Sequence, residues 1–171
     1  MVVLVQGSLT LGDITLDGGS DKSRSANTDG GVFNVQSGGT LTVGTGSTIR
    51  NSTTTGNGGA IYNAGTINLP GGTISNNKAN TGAGIYLTQG SRMNISGNPT
   101  FNGNTVSFSE TTATNGNETV YSSGTAEQDI YIAGYSGTDA ASLHVTGNLT
   151  GTAGSVWVWA AENPQIGRAH V

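Results

Sequence analysis

The alternating triplet Leu41-Thr42-Val43 returns 26 residues later as Ile67-Asn68-Leu69, and 26 residues later again as Met93-Asn94-Ile95. Each copy has apolar residues at both outer positions, the period-2 pattern of a strand buried on one face. A fixed step of this length, filled with strands, restricts the chain to a repeat architecture. Two more ladders flank the first. One precedes it through Val32-Phe33, Ile61-Tyr62 and Ile85-Tyr86, and one follows it through Ile49, Ile74 and Phe101. Each unit of about 25–26 residues therefore holds three short strands separated by Gly-rich turns.

No single unit can bury its own apolar face. Stacked as rungs, the units form a continuous column of Leu, Ile and Val, and each strand finds backbone partners in the rungs above and below. The expected fold is all-β: a right-handed parallel β-helix, or β-solenoid. The pairs Gly58-Gly59 and Gly71-Gly72 supply the positive φ of tight corners. Asn51 and Asn76, and Asn77 and Asn104, fall just past the third ladder, where their amides can bond between rungs.

The flanks extend the pattern. Leu9-Thr10-Leu11 matches the middle strand, Ile14 or Leu16 supplies the third, and Asp17 to Asp29 reads as a longer turn. Further on, Ile130-Tyr131-Ile132, Leu143-His144-Val145 and Leu149 repeat the three strands, and Val156 to Trp159 opens a last partial rung. The stretch Val106 to Gln128 is extra, a surface loop or an irregular rung, with the loop preferred. The expected organisation is one β-helix segment over 1–165 with an insertion at about 106–128. The last six residues, Ile166 to Val171 (IGRAHV), resemble the in-frame translation of a sequencing adapter and are expected to be an artefact. The segment is then part of a longer protein that stacks on both of its ends.

Gly, Thr, Ser and Asn make up just over half of the 171 residues. Such a bias also occurs in disordered chains, but those carry high charge. Here charged residues are only 9%, and Val, Ile and Thr fall in alternating runs that favour strands. The net charge of −4 argues against a nucleic-acid or anionic-membrane partner. No apolar run approaches the ~20 residues of a membrane-spanning helix. The absence of Cys excludes disulfides and thiolate metal sites. The opening MVVLVQGSLT has no basic region before its apolar residues and reads as the middle of a strand.

GGAIYN and FNGN (Phe101 to Asn104) resemble the GGA-aliphatic and Phe-x-x-Asn motifs of polymorphic outer-membrane-protein repeats. More closely, GGTLTV…STIRN and GGAIYNAGTINLPGGTISNN are similar to right-handed parallel β-helix repeats of large bacterial surface proteins. The resemblance covers roughly Gly7 to Asn163. It implies a secreted, cell-surface, adhesin-like role. The chain departs from the motifs at Gly30-Gly31-Val32-Phe33, which is only partly GGAI-like, and Phe-x-x-Asn occurs once.

Parallel β-helices also carry polysaccharide lyases and glycosidases. Glycoside hydrolysis asks for two carboxyl groups some 5–10 Å apart, which on rungs about 4.8 Å apart means acids one period apart on one strand. The ten acids are Asp13, Asp17, Asp21, Asp29, Glu110, Glu118, Glu127, Asp129, Asp139 and Glu162, and none is so placed between Val32 and Asn104. Asp13, Asp17 and Asp21 could hold a cation such as Ca²⁺, but turn acids capping their own backbone are the expected reading. His144 stands between Leu143 and Val145, outward, with no carboxylate placed to orient it. The segment is therefore expected to be no enzyme and to use neither cofactor nor metal.

Two outward surfaces could bind. The middle strands present Ser8/Thr10, Thr40/Thr42, Thr66/Asn68, Arg92/Asn94 and Ser142/His144, a Thr array too broken for an ice-binding solenoid. The first ladder offers Phe33, Tyr62 and Tyr86 as a row of rings that can stack on sugar faces, or more simply brace one another. Trp157 and Trp159 belong to the same class. The expected function is structural display at the bacterial cell surface, extracellular, with host or microbial glycans or surface proteins as weak partners. The alternatives are a non-catalytic part of a β-helix polysaccharide lyase or glycosidase, and an ice-binding solenoid.

Overall fold

The structure is a computed structural model. It describes residues 2–19, 29–115, 118–134, 140–151, 154–159 and 169–170, with backbone alone for 108–115, 118–123, 157–159 and 169–170. Ile166 to Arg168 and Val171 lie outside the described residues, as do Lys22, Asp21 and Asp139.

Strands follow one another rung by rung. The first rung holds β1 (Val3–Val5), β2 (Ser8–Leu11) and β3 (Thr15–Asp17). The second holds β4 (Phe33–Val35), β5 (Thr40–Val43) and β6 (Thr48–Arg50). The third holds β7 (Ile61–Asn63), β8 (Thr66–Leu69), β9 (Thr73–Ser75) and the short β10 (Lys78–Ala79). The fourth holds β11 (Ile85–Leu87), β12 (Arg92–Gly97) and β13 (Thr100–Asn102). After an insertion of β14 (Thr105–Asn115) and β15 (Glu118–Glu127) come β16 (Ile130–Ala133), β17 (Ser142–Leu149), β18 (Ser155–Trp159) and β19 (Ala169–His170). Strands of equal rank pair in parallel, giving walls ordered β1-β4-β7-β11-β16-β18, β2-β5-β8-β12-β17 and β3-β6-β9-β13. The fold is a parallel β-solenoid of about four turns, all-β among the described residues.

The register confirms the 26-residue ladder. Leu9, Leu41, Ile67, Met93 and Leu143 are successive partners in the middle wall. Leu41, Ile67 and Met93 are fully buried, and each contributes on the order of 1.5–3 kcal/mol of transfer free energy. Leu16, Ile49, Ile74 and Phe101 form the third ladder, so Leu16 rather than the exposed Ile14 supplies the first-rung strand.

The first wall differs from expectation by one residue. Phe33 pairs with Ile61, and Asn34 with Tyr62. Phe33 is 1% exposed and belongs to the core. The glycines set this register: Gly30, Gly58 and Gly82 all have positive φ, three residues before Phe33, Ile61 and Ile85. After the first two comes a second glycine, because a Cβ on Gly31 would lie 2.0 Å from the carbonyl oxygen of Gly59, and one on Gly59 2.2 Å from that of Ala83.

Three further expectations change. The stretch 106–128 contains an antiparallel hairpin rather than an irregular loop: β14 pairs with β15 from Thr105↔Glu127 to Asn115↔Glu118 and is anchored in parallel on β10 through Lys78↔Thr105 and Ala79↔Val106. Val106, with Ala79, Ala83 and Ala126, forms a small second core beneath it. Leu149 does not build a third-wall strand, because β17 runs on along β12 until Leu149 pairs with Gly97. Val145, expected inward, is 61% exposed. Within the C-terminal six residues, Ala169–His170 pairs antiparallel with β18.

Candidate functional site

At the corner after the third wall, the ladder position is filled by Ser52, Asn77, Asn104, Asp129 and Ser155, at steps of 25, 27, 25 and 26 residues. Asn77 and Asn104 are fully buried and Asp129 is 4% exposed. Asn77 Oδ1 accepts the Ser52 N–H at 3.0 Å, and Asn77 Nδ2 donates to Ile49 O at 3.3 Å and Asn104 Oδ1 at 2.9 Å. Asn104 repeats the pattern: Oδ1 accepts the Asn77 N–H at 3.1 Å, and Nδ2 donates to Ile74 O at 2.8 Å and Asp129 Oδ1 at 2.7 Å. Asp129 Oδ2 accepts from the Ser155 N–H at 2.7 Å and Ser155 Oγ at 3.2 Å. Buried amides of this kind are tolerated only when satisfied on all sides, and here each rung satisfies the next. Asn51 and Asn76 act otherwise. They take the left-handed conformation that turns the corner, with φ 56° and 54°.

Asp17, at the edge of the third wall, is engaged by the Gly19 N–H at 3.0 Å, Arg50 Nε at 2.9 Å and Asn51 Nδ2 at 3.1 Å. These bonds, that of Gly19 foremost, hold its carboxyl below the usual 3.8. Its ligands are thus a turn amide, an arginine and an asparagine. Asp13 has φ 54° in its own turn, and Asp21 lies outside the described residues. Among the described residues no group of three or more His, Asp or Glu is arranged to hold a metal ion.

The outward row of the first wall reads Leu4, Asn34, Tyr62, Tyr86, Tyr131 and Trp157 by backbone register. Phe33 is not in it. Tyr131, which sequence reasoning aligned with Tyr86 but left out of the ring row, is. Tyr62 and Tyr86 stack with centroids 5.5 Å apart and planes 3° apart, and Tyr86 and Tyr131 at 5.2 Å and 9°. The rings are half-buried and turn their faces to one another along the solenoid axis. Tyr86 thus has a ring on either side. Burial pushes the Tyr62 hydroxyl above 10.0, with the Asp29 carboxylate adding to it, and burial followed by Tyr86 does the same at Tyr131.

On the middle wall the outward positions align as expected. Thr42, Asn68 and Asn94 make a second, half-buried polar ladder, with Asn94 Nδ2 donating to Asn68 Oδ1 at 2.8 Å and Asn68 Nδ2 to Thr42 Oγ1 at 3.5 Å. His144 is exposed in register with Asn94. The side chains of Trp157 and Trp159 lie outside the described residues; their strand pairs Trp157 with Tyr131 and Trp159 with Ala133.

No protein-family model, no curated protein and no solved structure matches the chain.

Proposed function

We propose that the chain is a structural and display segment of a bacterial cell-surface, adhesin-like protein, extracellular, carrying weak binding to glycans or surface proteins on its walls and no catalysis. The observation that supports this best is what the polar groups are used for. Asp129, Asn77 and Asn104 hold rung to rung inside, Asp17 closes a turn with Arg50, and the tyrosines brace one another outside. A general acid or base needs a titratable group free to meet a substrate, whereas Asp129 already accepts bonds on both oxygens. The resemblance of GGAIYN and FNGN to surface-protein repeats supports the same reading.

The ring geometry refines how binding would occur. Faces committed to a stack are poor platforms for a sugar, so recognition falls on the row of phenol hydroxyls, repeated at the 5.2–5.5 Å ring spacing. The test is a glycan array with the purified chain and the triple variant Tyr62→Phe/Tyr86→Phe/Tyr131→Phe, which keeps the stack and removes the hydroxyls. Binding by the parent and its loss in the variant support the wall as a recognition surface. Unchanged binding removes the tyrosine row. Turnover of any polysaccharide overturns the display reading.

A further inference from the structure

Among the described residues the third inward ladder, Leu16, Ile49, Ile74 and Phe101, has no fifth member. Gly154 takes the place above Phe101, so close that a Cβ there would lie 3.0 Å from the ring. Gly151 similarly approaches Pro99, with an added Cβ only 1.7 Å from its carbonyl oxygen. Two glycines thus pass where a side chain would fill the lumen. The space left is a cavity of about 220 Å³, floored by Ile95 and Phe101 and walled by Ile130, Leu143, Val145 and Val156. Every lining residue is apolar or glycine. The mouth lies beside Val145 and Leu149, which are 61% and 37% exposed.

The geometry points to a binding site for one small, uncharged, apolar molecule of the size of a substituted benzene. The side chains offered to a guest are all apolar, and a smaller apolar cavity of about 150 Å³ already takes benzene. The lining carries no charge to offset an ionised guest, and burying an unpaired charge is strongly unfavourable. The guest is therefore neutral, and it lies beside the glycines Gly151 and Gly154 against Ile95 and Phe101.

The test titrates the full chain with p-xylene while following its methyl resonances by NMR. The expected result is saturable shifts confined to Ile95, Ile130, Leu143, Val145 and Val156, with at least tenfold weaker binding of benzoate, an anion of similar size. Val145→Phe, at the exposed mouth, should weaken p-xylene at least tenfold. If that variant does not fold, the methyl map and the benzoate comparison on the parent chain still decide. Shifts that do not saturate, that spread over the surface, or that benzoate reproduces at equal concentration overturn the site.

Discussion

Asn104 donates its Nδ2–H to Asp129 Oδ1 at 2.7 Å, and with that bond the polarity of the inner ladder ends. Asn77 and Asn104 each accept from the residue below and donate to the one above. Asp129 accepts with one oxygen from Asn104 and with the other from Ser155. Only a carboxylate can accept on both sides.

Asp129→Asn should therefore destabilise the chain although it preserves shape. Whichever way the new amide turns, its NH₂ opposes an N–H donor, either Asn104 Nδ2 or the Ser155 backbone. The expected loss is about 1–3 kcal/mol, the cost of a buried donor left unmade. Urea denaturation of parent and variant measures it.

Asn104→Ala removes four bonds at once, one each to Ile74 O, the Asn77 N–H, Asn77 Nδ2 and Asp129 Oδ1. Its cost should exceed that of a typical substitution, at about 3 kcal/mol or more. Ser47→Ala makes the contrast: the Ser47 hydroxyl is buried with no hydrogen-bond partner, so its removal should be neutral within about 0.5 kcal/mol or slightly stabilising. The same denaturation series ranks the two.

Ile67→Asp should abolish the folded state. Ile67 is fully buried between Leu41 and Met93, and an unpaired carboxylate there faces only aliphatic carbon. Ile67→Ala leaves a cavity instead and should cost about 2–5 kcal/mol. Circular dichroism should find no cooperative transition in the first variant and a lowered midpoint in the second.

The tyrosine stack predicts an alkaline limit. Tyr62 and Tyr131 have hydroxyls raised above 10.0 in the folded chain, so folding favours the neutral phenol. Their contribution is complete below 10.0 and is lost as the pH climbs through the higher folded values. A phenolate absorbance titration should show Tyr62 and Tyr131 ionising late, and stability falling from pH 10 upward. Tyr86→Ala, which removes both stacks, should return Tyr62 and Tyr131 toward 10.0 and cost about 1–3 kcal/mol, from two ring pairs of about 0.5–1.5 each.

From Leu41 to Phe101 the middle and third ladders were legible in the sequence, because inward residues there are large, alternate strictly and recur at nearly constant steps; beyond them Val145 and Leu149 left the pattern. The first ladder was misread by one residue. Pairing aromatics put Phe33 beside Tyr62, whereas counting from the positive-φ glycines, Gly30 and Gly58, puts Phe33 beside Ile61. Backbone sterics fixed that register, not side-chain likeness. Asp129 was readable by carrying the Asn77–Asn104 step one rung further, but an acid there does not look like an amide ladder. The hairpin at 105–127 and the cavity beside Phe101 were not legible. Antiparallel pairing follows no rung period, and a missing side chain leaves no pattern.

Rungs that hold together as one stiff column should open together, and native-state hydrogen exchange tests that most directly. The Ile61 N–H donates to Gly84 O in the next rung and the Ile85 N–H to Asp129 O in the one after. These amides, with those of Ser52 and Asn77 on the inner ladder, should exchange slowly and with closely similar protection, and Asn104→Ala should speed all of them together. Rungs that exchange independently, each at its own rate and indifferent to Asn104, would contradict the single stiff column.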